Sequence, residues 1–329
     1  MTPAGWVAGL LGWLACASSP PPVAIPAPPK PTEAPPPPAP PAATSVTPGP
    51  TLMGTCDASA GRWHEGLLQV ADDERNDLLL FDADGLLARA VPLAGAFPAL
   101  VGKEADLEAV ARHSDHTWWI GSHDRGKGTS PREARQRLFQ HDGTTAGVLR
   151  TDLLERLAQH EEVARVLAAT EGITSKHRSG LSIEGLAADD DGLWVGFRAP
   201  VVDGRALVVH VADPAGGAIP SAPVWLDLGG RGVRALERVG SRIYVVAGPA
   251  EADGAFAVYR WAPGTPDTEQ VLSSQQLGSL RPEGLALEPS TGTLWLLSDD
   301  GGLEIEGRTC KKLPPAARRA RTATFTPPP

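Results

Sequence analysis

A short pattern recurs five times along this chain and limits its fold more than any other feature. The segments are Asp57–Ala60, Asp106–Ala111, Ser182–Ala187, Gly232–Glu237 and Arg281–Ala286. Their third residues are Ser59, Glu108, Glu184, Arg234 and Glu283, spaced by 49, 76, 50 and 49 residues. Each segment leads through a turn, as at Asp189–Gly192, into a second apolar strand. These strands are Leu67–Ala71, Trp118–Gly121, Leu193–Phe197, Ile243–Ala247 and Leu294–Leu297. Third strands read at Asp77–Phe81, Arg137–His141, Ala206–Val211 and Phe256–Trp261, and a fourth at Val224–Leu228. A four-stranded unit cannot bury two apolar faces alone, so such units stack radially around a channel. The pattern predicts an all-β fold, a β-propeller of five blades. A sixth blade would require Thr51–Thr55 or Arg321–Phe325 to complete another sheet.

The 76-residue step carries about 27 residues more than the others, between blades two and three, at about 143–180. Leu153, Leu154, Leu157, Val163, Val166 and Leu167 give this insertion an apolar helical face, and Asp152 with Glu155 suggests a capping box. Two placements follow from the topology. The insertion covers one mouth of the channel, bringing Lys176, His177 and Arg178 to it, or it packs on the blade edge.

The first 50 residues have a different character. Ala4–Ala15 is twelve residues without a charge, which suits a secretory signal and is too short for a membrane span. It ends at Leu14-Ala15-Cys16, the pattern of a lipoprotein signal in which Cys16 is lipidated; the alternative is cleavage after Ala17 and secretion. Sixteen of the chain's 33 Pro lie in residues 1–50. Residues 17–50 therefore read as a disordered, extended tether and 51–329 as the propeller domain. These features place the chain in a bacterial cell envelope, lipid-anchored and either periplasmic or surface-facing. With Cys16 removed from the count, Cys56 and Cys310 remain as a disulfide candidate for an oxidising compartment.

Only Lys30 and Glu33 are charged in that region, so the net charge of −9 sits on the folded part. This disfavours nucleic acid as a partner, and membrane contact other than through a lipid anchor. A monomer is expected. Gly121–Thr129 approaches a phosphate-binding loop, but Gly128 stands where the hydroxyl residue should be.

Antiparallel order places the start of each first strand and the end of each second strand at one mouth. Fourteen residues beyond the recurring position (fifteen after Glu283) polar loops begin, at Asp73, Ser122, Arg198, Gly248 and Ser298. That mouth thus gathers Asp73, Glu74, Glu108, His123, Asp124, Arg125, Glu184, Arg198, Arg234, Glu283, Asp299 and Asp300, the candidate ligand-binding set. Glu108, Glu184 and Glu283 share one repeat position, and clustered carboxylates repel unless compensated. Either Arg198 and Arg234 neutralise them, or a hard cation such as Ca²⁺ or Mg²⁺ does, with the three Glu as metal ligands.

Several ordered motifs add to this reading. Asp72–Asn76, Ile183–Ala187 with Gly196–Pro200, Gly232–Leu236 with Ala247–Pro249, and Arg281–Ala286 with Leu297–Gly301 resemble the bacterial domain-of-unknown-function family 3616 over about residues 55–325. More distantly they are similar to esterase-like and phytase-related propellers. The resemblance implies a propeller and supplies no reaction. The expected function is an envelope-tethered propeller that binds a small molecule or envelope partner at its charged mouth. The alternative is a hydrolase of phosphoesters or lactones that depends on a hard cation.

Overall fold

In the computed structural model, residues 44–72, 74–126, 129–251 and 253–328 are described. Five antiparallel sheets surround one channel. Blade one comprises Ala58–His64, Leu67–Asp72, Asp77–Phe81 and Leu87–Pro92. Blade two comprises Leu107–His113, His116–Gly121, Leu138–His141 and Ala146–Arg150. Blade three comprises Ser182–Ala188, Gly192–Val202, Arg205–Ala212 and Val224–Asp227. Blade four comprises Gly232–Val239, Arg242–Gly248, Ala257–Trp261 and Thr268–Leu272.

Blade five is built from both ends of the described chain. Pro282–Glu288, Thr293–Ser298 and Thr322–Phe325 are its inner three strands, and Thr47–Pro48 is the outermost. Thr47 and Pro48 pair with Thr324 and Ala323. The stretch expected as a tether over 17–50 thus overlaps the propeller: Thr47–Pro48 closes the ring, and Pro48 is tolerated because an edge strand needs no donor on its free side. For the same reason no sixth blade forms among the described residues. Arg321–Phe325 enters blade five, and Leu52–Met53 pairs only with Arg319–Ala320. Residues 1–43, which hold Cys16 and most of the expected tether, lie outside the described residues.

Both faces of each sheet are buried because each meets a neighbour. Five apolar clusters form, one per wedge between adjacent blades. Trp194 and Trp261 meet edge to face between blades three and four, at 4.8 Å between ring centroids. Trp118, Trp119 and Trp261 are almost fully buried. Near the axis the sheets approach so closely that side chains must disappear. A Cβ on Gly185 would stand 2.6 Å from a Val233 methyl, which accounts for the glycine after Glu184.

The insertion contains helices Leu153–Leu157 and Glu161–Ala169. Leu153, Leu157 and Val163 join the wedge between blades two and three, so the helices pack on the blade edge. The following segment does reach the mouth: Arg125 donates to the Thr170 carbonyl at 2.7 Å, and the Val201 N–H to the Arg178 carbonyl at 2.9 Å. The capping box is not formed. Asp152 instead accepts from Arg150 and Arg156, at 2.9 and 2.8 Å, because two guanidiniums outcompete backbone N–H donors for one carboxylate. The Cys56–Cys310 disulfide is present, with Cα atoms 5.9 Å apart, and its sulfurs sit with Ile305 and Leu313. Among the described residues no helix is long and apolar enough to cross a membrane.

Candidate functional site

One local device repeated five times builds the site. In every blade the pairing of first and second strand slips by one residue, and the slip falls at the recurring position. Ser59, Glu108, Glu184, Arg234 and Glu283 are each skipped while their neighbours pair. A bulge of this kind leaves one residue unpaired and re-aims its side chain. The re-aimed carboxylates of Glu108, Glu184 and Glu283, from blades two, three and five, offer oxygens within 4.8 Å of one another, and all three residues are buried.

Blades three and four supply the compensating charge. Arg234 bridges two of the acids: its Nε lies 3.0 Å from Glu184 Oε2, and its guanidinium also contacts Glu283. Arg198 donates to Glu184 Oε1 at 2.9 Å, and Ser182 Oγ donates to the same oxygen at 3.1 Å. Burial opposes the charge on Arg198, but Glu184, then Glu108 and Asp124, outweigh it and hold its pKa above the usual range. Burial is also the largest influence on Arg234 and draws its pKa down, against the pull of Glu184. The Phe256 ring lies 5.8 Å from the Arg234 guanidinium carbon and 6.0 Å from that of Arg281 at the rim. Blade one adds no charge, because Ser59 is hydrogen-bonded to the Leu107 carbonyl at 2.6 Å.

The other sequence-derived candidates divide. Asp300 is bound into the frame. It accepts from Arg321 at 2.6 and 2.9 Å, from the Arg321 N–H at 2.8 Å and from Ser298 at 2.9 Å, so it fastens the third strand of blade five. Asp124 is likewise fastened, by Arg135 at 2.6 Å and the Gly126 N–H at 2.9 Å. His123 is buried with φ +55°; its Nδ1 lies 2.8 Å from the Gly121 carbonyl, and Nε2 makes no hydrogen bond. Burial pushes its pKa down to about 4, so the ring is neutral at pH 7. It is outside the carboxylate group. Arg198 lies within a strand rather than opening a loop, since blade three's second strand continues to Val202. Asp73 lies outside the described residues.

Asp299 faces a partner the sequence reading missed. Asp57 bridges to it across the ring closure, and their side chains are hydrogen-bonded. Burial first, then Asp299, pushes Asp57 up to about 8, so the pair shares a proton at neutral pH. Asp106 is a second omission: it pairs with Arg135 at 2.6 Å, and burial, then Asp124, raises it to about 7. The repeat itself contained the signal. Asp57, Asp106, Ser182, Gly232 and Arg281 all stand two residues before the bulge.

This geometry defines the class: a five-bladed β-propeller with an Arg-braced carboxylate cluster at one mouth. Residues 127–287 match the family model described as "Protein of unknown function (DUF3616)", from the loop after blade two's second strand into blade five. The resemblance read from the motifs is thus found, over a shorter span. The fold is similar to that of the Myxococcus xanthus glutaminyl cyclase, at 12% identity and TM-score 0.51, covering 86% of this chain and 97% of that one. It is also similar to a GH43 β-1,3-galactosidase solved with galactodeoxynojirimycin, at 10% identity and TM-score 0.50, covering 85% and 94%. Both likenesses concern the fold alone. A comparison with curated proteins finds no match. The more distant likeness to esterase-like and phytase-related propellers gains no support from these comparisons.

Proposed function

We propose that this propeller is tethered in the bacterial cell envelope and binds a small polar ligand or an envelope partner at its upper mouth. One observation carries the reading: the bulges of four blades aim Glu108, Glu184, Arg234 and Glu283 into one buried cluster. The convergence of three buried carboxylates favours a ligand with a cationic or strongly hydrogen-bond-donating group, and Ca²⁺ or Mg²⁺ is the simplest case. The Cys56–Cys310 disulfide supports an oxidising compartment. Export and anchoring through Cys16 rest on the sequence pattern, and Cys16→Ser should move the protein out of the membrane fraction. Unchanged fractionation would remove the lipid anchor from the proposal.

The test is thermal. Millimolar Ca²⁺ or Mg²⁺ should raise the Tm of wild type, since a ligand selective for the native state stabilises it. Glu184→Gln should shrink that rise. No shift with either ion would leave the Arg-braced cluster complete without a metal. The hydrolase alternative is favoured only by the closeness of the three buried carboxylates. A panel of phosphoesters and lactones, with and without chelator, separates it from binding alone.

A further inference from the structure

The opposite end of the channel contains a second polar chamber, of about 540 Å³. Its wall includes Val110–Arg112 of blade two, Leu186–Asp190 around the end of blade three's first strand, and Leu236–Arg238 of blade four. These are the far ends of the strands that carry Glu108, Glu184 and Arg234. The four-residue run from Glu108 to Arg112 puts about 13 Å between the two sites.

The charges here are arranged differently from those above. Arg112 and Arg238 both line the chamber. Arg62 of blade one is buried, and its guanidinium donates to Thr117 Oγ1 at 2.7 Å. The charges that act on it are Arg112, which repels it, and Glu237, which lines the chamber. Burial pushes the Glu237 carboxyl up to about 8, so at pH 7 it keeps its proton and offers Arg62 little compensation.

Asp189 and Asp190 also line the chamber, but both carboxylates are already engaged. Asp189 accepts from the Trp194 indole at 2.7 Å and lies 3.0 Å from His210 Nε2. Asp190 pairs with Arg238 at 3.0 Å, and Asp115 reaches Arg112 at 3.6 Å. The Asp190 and Asp115 side chains are 90% and 96% exposed, so water screens both pairs and a competing anion can displace them.

We propose that this lower chamber binds the oxyanion group of a small organic molecule, a phosphate or a carboxylate, held by Arg112 and Arg238 with Arg62 behind them. Guanidinium forks match both groups bidentately. An anion beside Arg112 offsets the repulsion between Arg112 and the buried Arg62, and a protonated Glu237 adds a donor instead of a repelling charge. The chamber is larger than a bare phosphate requires and lies in the size range of small-molecule pockets, which points to an organic carrier. The inference is independent of the upper mouth.

The test uses the full chain at constant ionic strength, titrated with inorganic phosphate in one arm and succinate in another, against chloride. Either oxyanion should raise Tm by about 3 °C at a tenfold excess over its Kd, and the arm with the lower Kd identifies the group. Arg112→Gln should weaken that Kd at least about tenfold, as loss of a charge-assisted pair does. Its own Tm should barely change, because the Arg112 side chain is more than half exposed. Arg238→Gln should act in the same direction, whereas Glu184→Gln at the upper mouth should leave the Kd unchanged. Three results would overturn the proposal: no shift with either oxyanion, an unchanged Kd in Arg112→Gln, or a Kd lost in Glu184→Gln.

Discussion

Arg234→Met removes a side chain that contacts two of the three clustered acids while keeping much of its volume. Arg234, Glu184 and Glu283 are 5%, 2% and 6% exposed, so solvent replaces little of the lost charge. Carboxylates 4.8 Å apart repel by about 3.5 kcal/mol per pair at an effective dielectric of about 20. The protein does not bear all of that, because a glutamate can take up a proton instead. Protonating an ordinary glutamate at pH 7 costs about 3.7 kcal/mol, taking its reference pKa as about 4.3. The deficit of the variant is therefore capped near 4 kcal/mol at pH 7, within the range of about 3–5 kcal/mol for breaking a buried ion pair. At pH 5 the same proton costs about 1 kcal/mol, so the deficit should shrink by about 2–3 kcal/mol. Urea denaturation of both proteins at the two pH values measures this directly, and Tm should fall by about 2–4 °C per kcal/mol. A deficit below about 1 kcal/mol at pH 7, or one equal at both pH values, would show that Arg234 does not offset the acids. Ca²⁺ that stabilises the variant but not wild type would show the arginine occupying the place a cation could take.

Two other perturbations address the ring closure. Asp57 has its folded pKa raised from 3.8 to about 8, so its stabilising contribution is complete below 3.8 and is lost as pH rises through about 8. Wild type should lose at most about 1.4 kcal/mol per pH unit from this group between pH 6 and 8; Asp57→Asn, which mimics the protonated form, should lose less. Parallel Tm–pH curves for the two proteins would refute the shared proton. The Cys56–Cys310 bridge closes a span of 254 residues, for which chain entropy gives roughly 5 kcal/mol. The double Cys→Ala variant should therefore melt well below wild type, and alkylation of both thiols in denatured, non-reduced protein would disprove the bridge.

Most of the architecture was legible because a blade writes itself twice, in the alternation of its strands and in the spacing of its bulges. The bulge residue is unpaired, so chemistry can vary there while the strands persist: acid in blades two, three and five, base in blade four, hydroxyl in blade one. That made Glu108, Glu184, Arg234 and Glu283 readable as a set before their distances were known. What stayed hidden joins parts of the chain that share no period. Thr47–Pro48 is a two-residue edge strand inside a Pro-rich run, with too few residues to show alternation. Asp57 meets Asp299 only because the ring closes, and Asp300 meets Arg321 only because the last strand enters blade five.

The placement of charge around the ring also bears on function. A symmetric carboxylate crown would need an acid in every blade. Here the acids of blades three and five are braced by Arg234 of blade four, and that of blade three also by Arg198 from its own blade. Blade one, by contrast, uses Ser59 to tie its own first strand to that of blade two. The mouth is thus polarised across the axis, with the proton-sharing Asp57–Asp299 pair at the seam between blades five and one. Such polarity draws a bound cation toward the acids and orients a molecule with distinct ends, so a screen of the upper mouth should set organic cations beside Ca²⁺ and Mg²⁺.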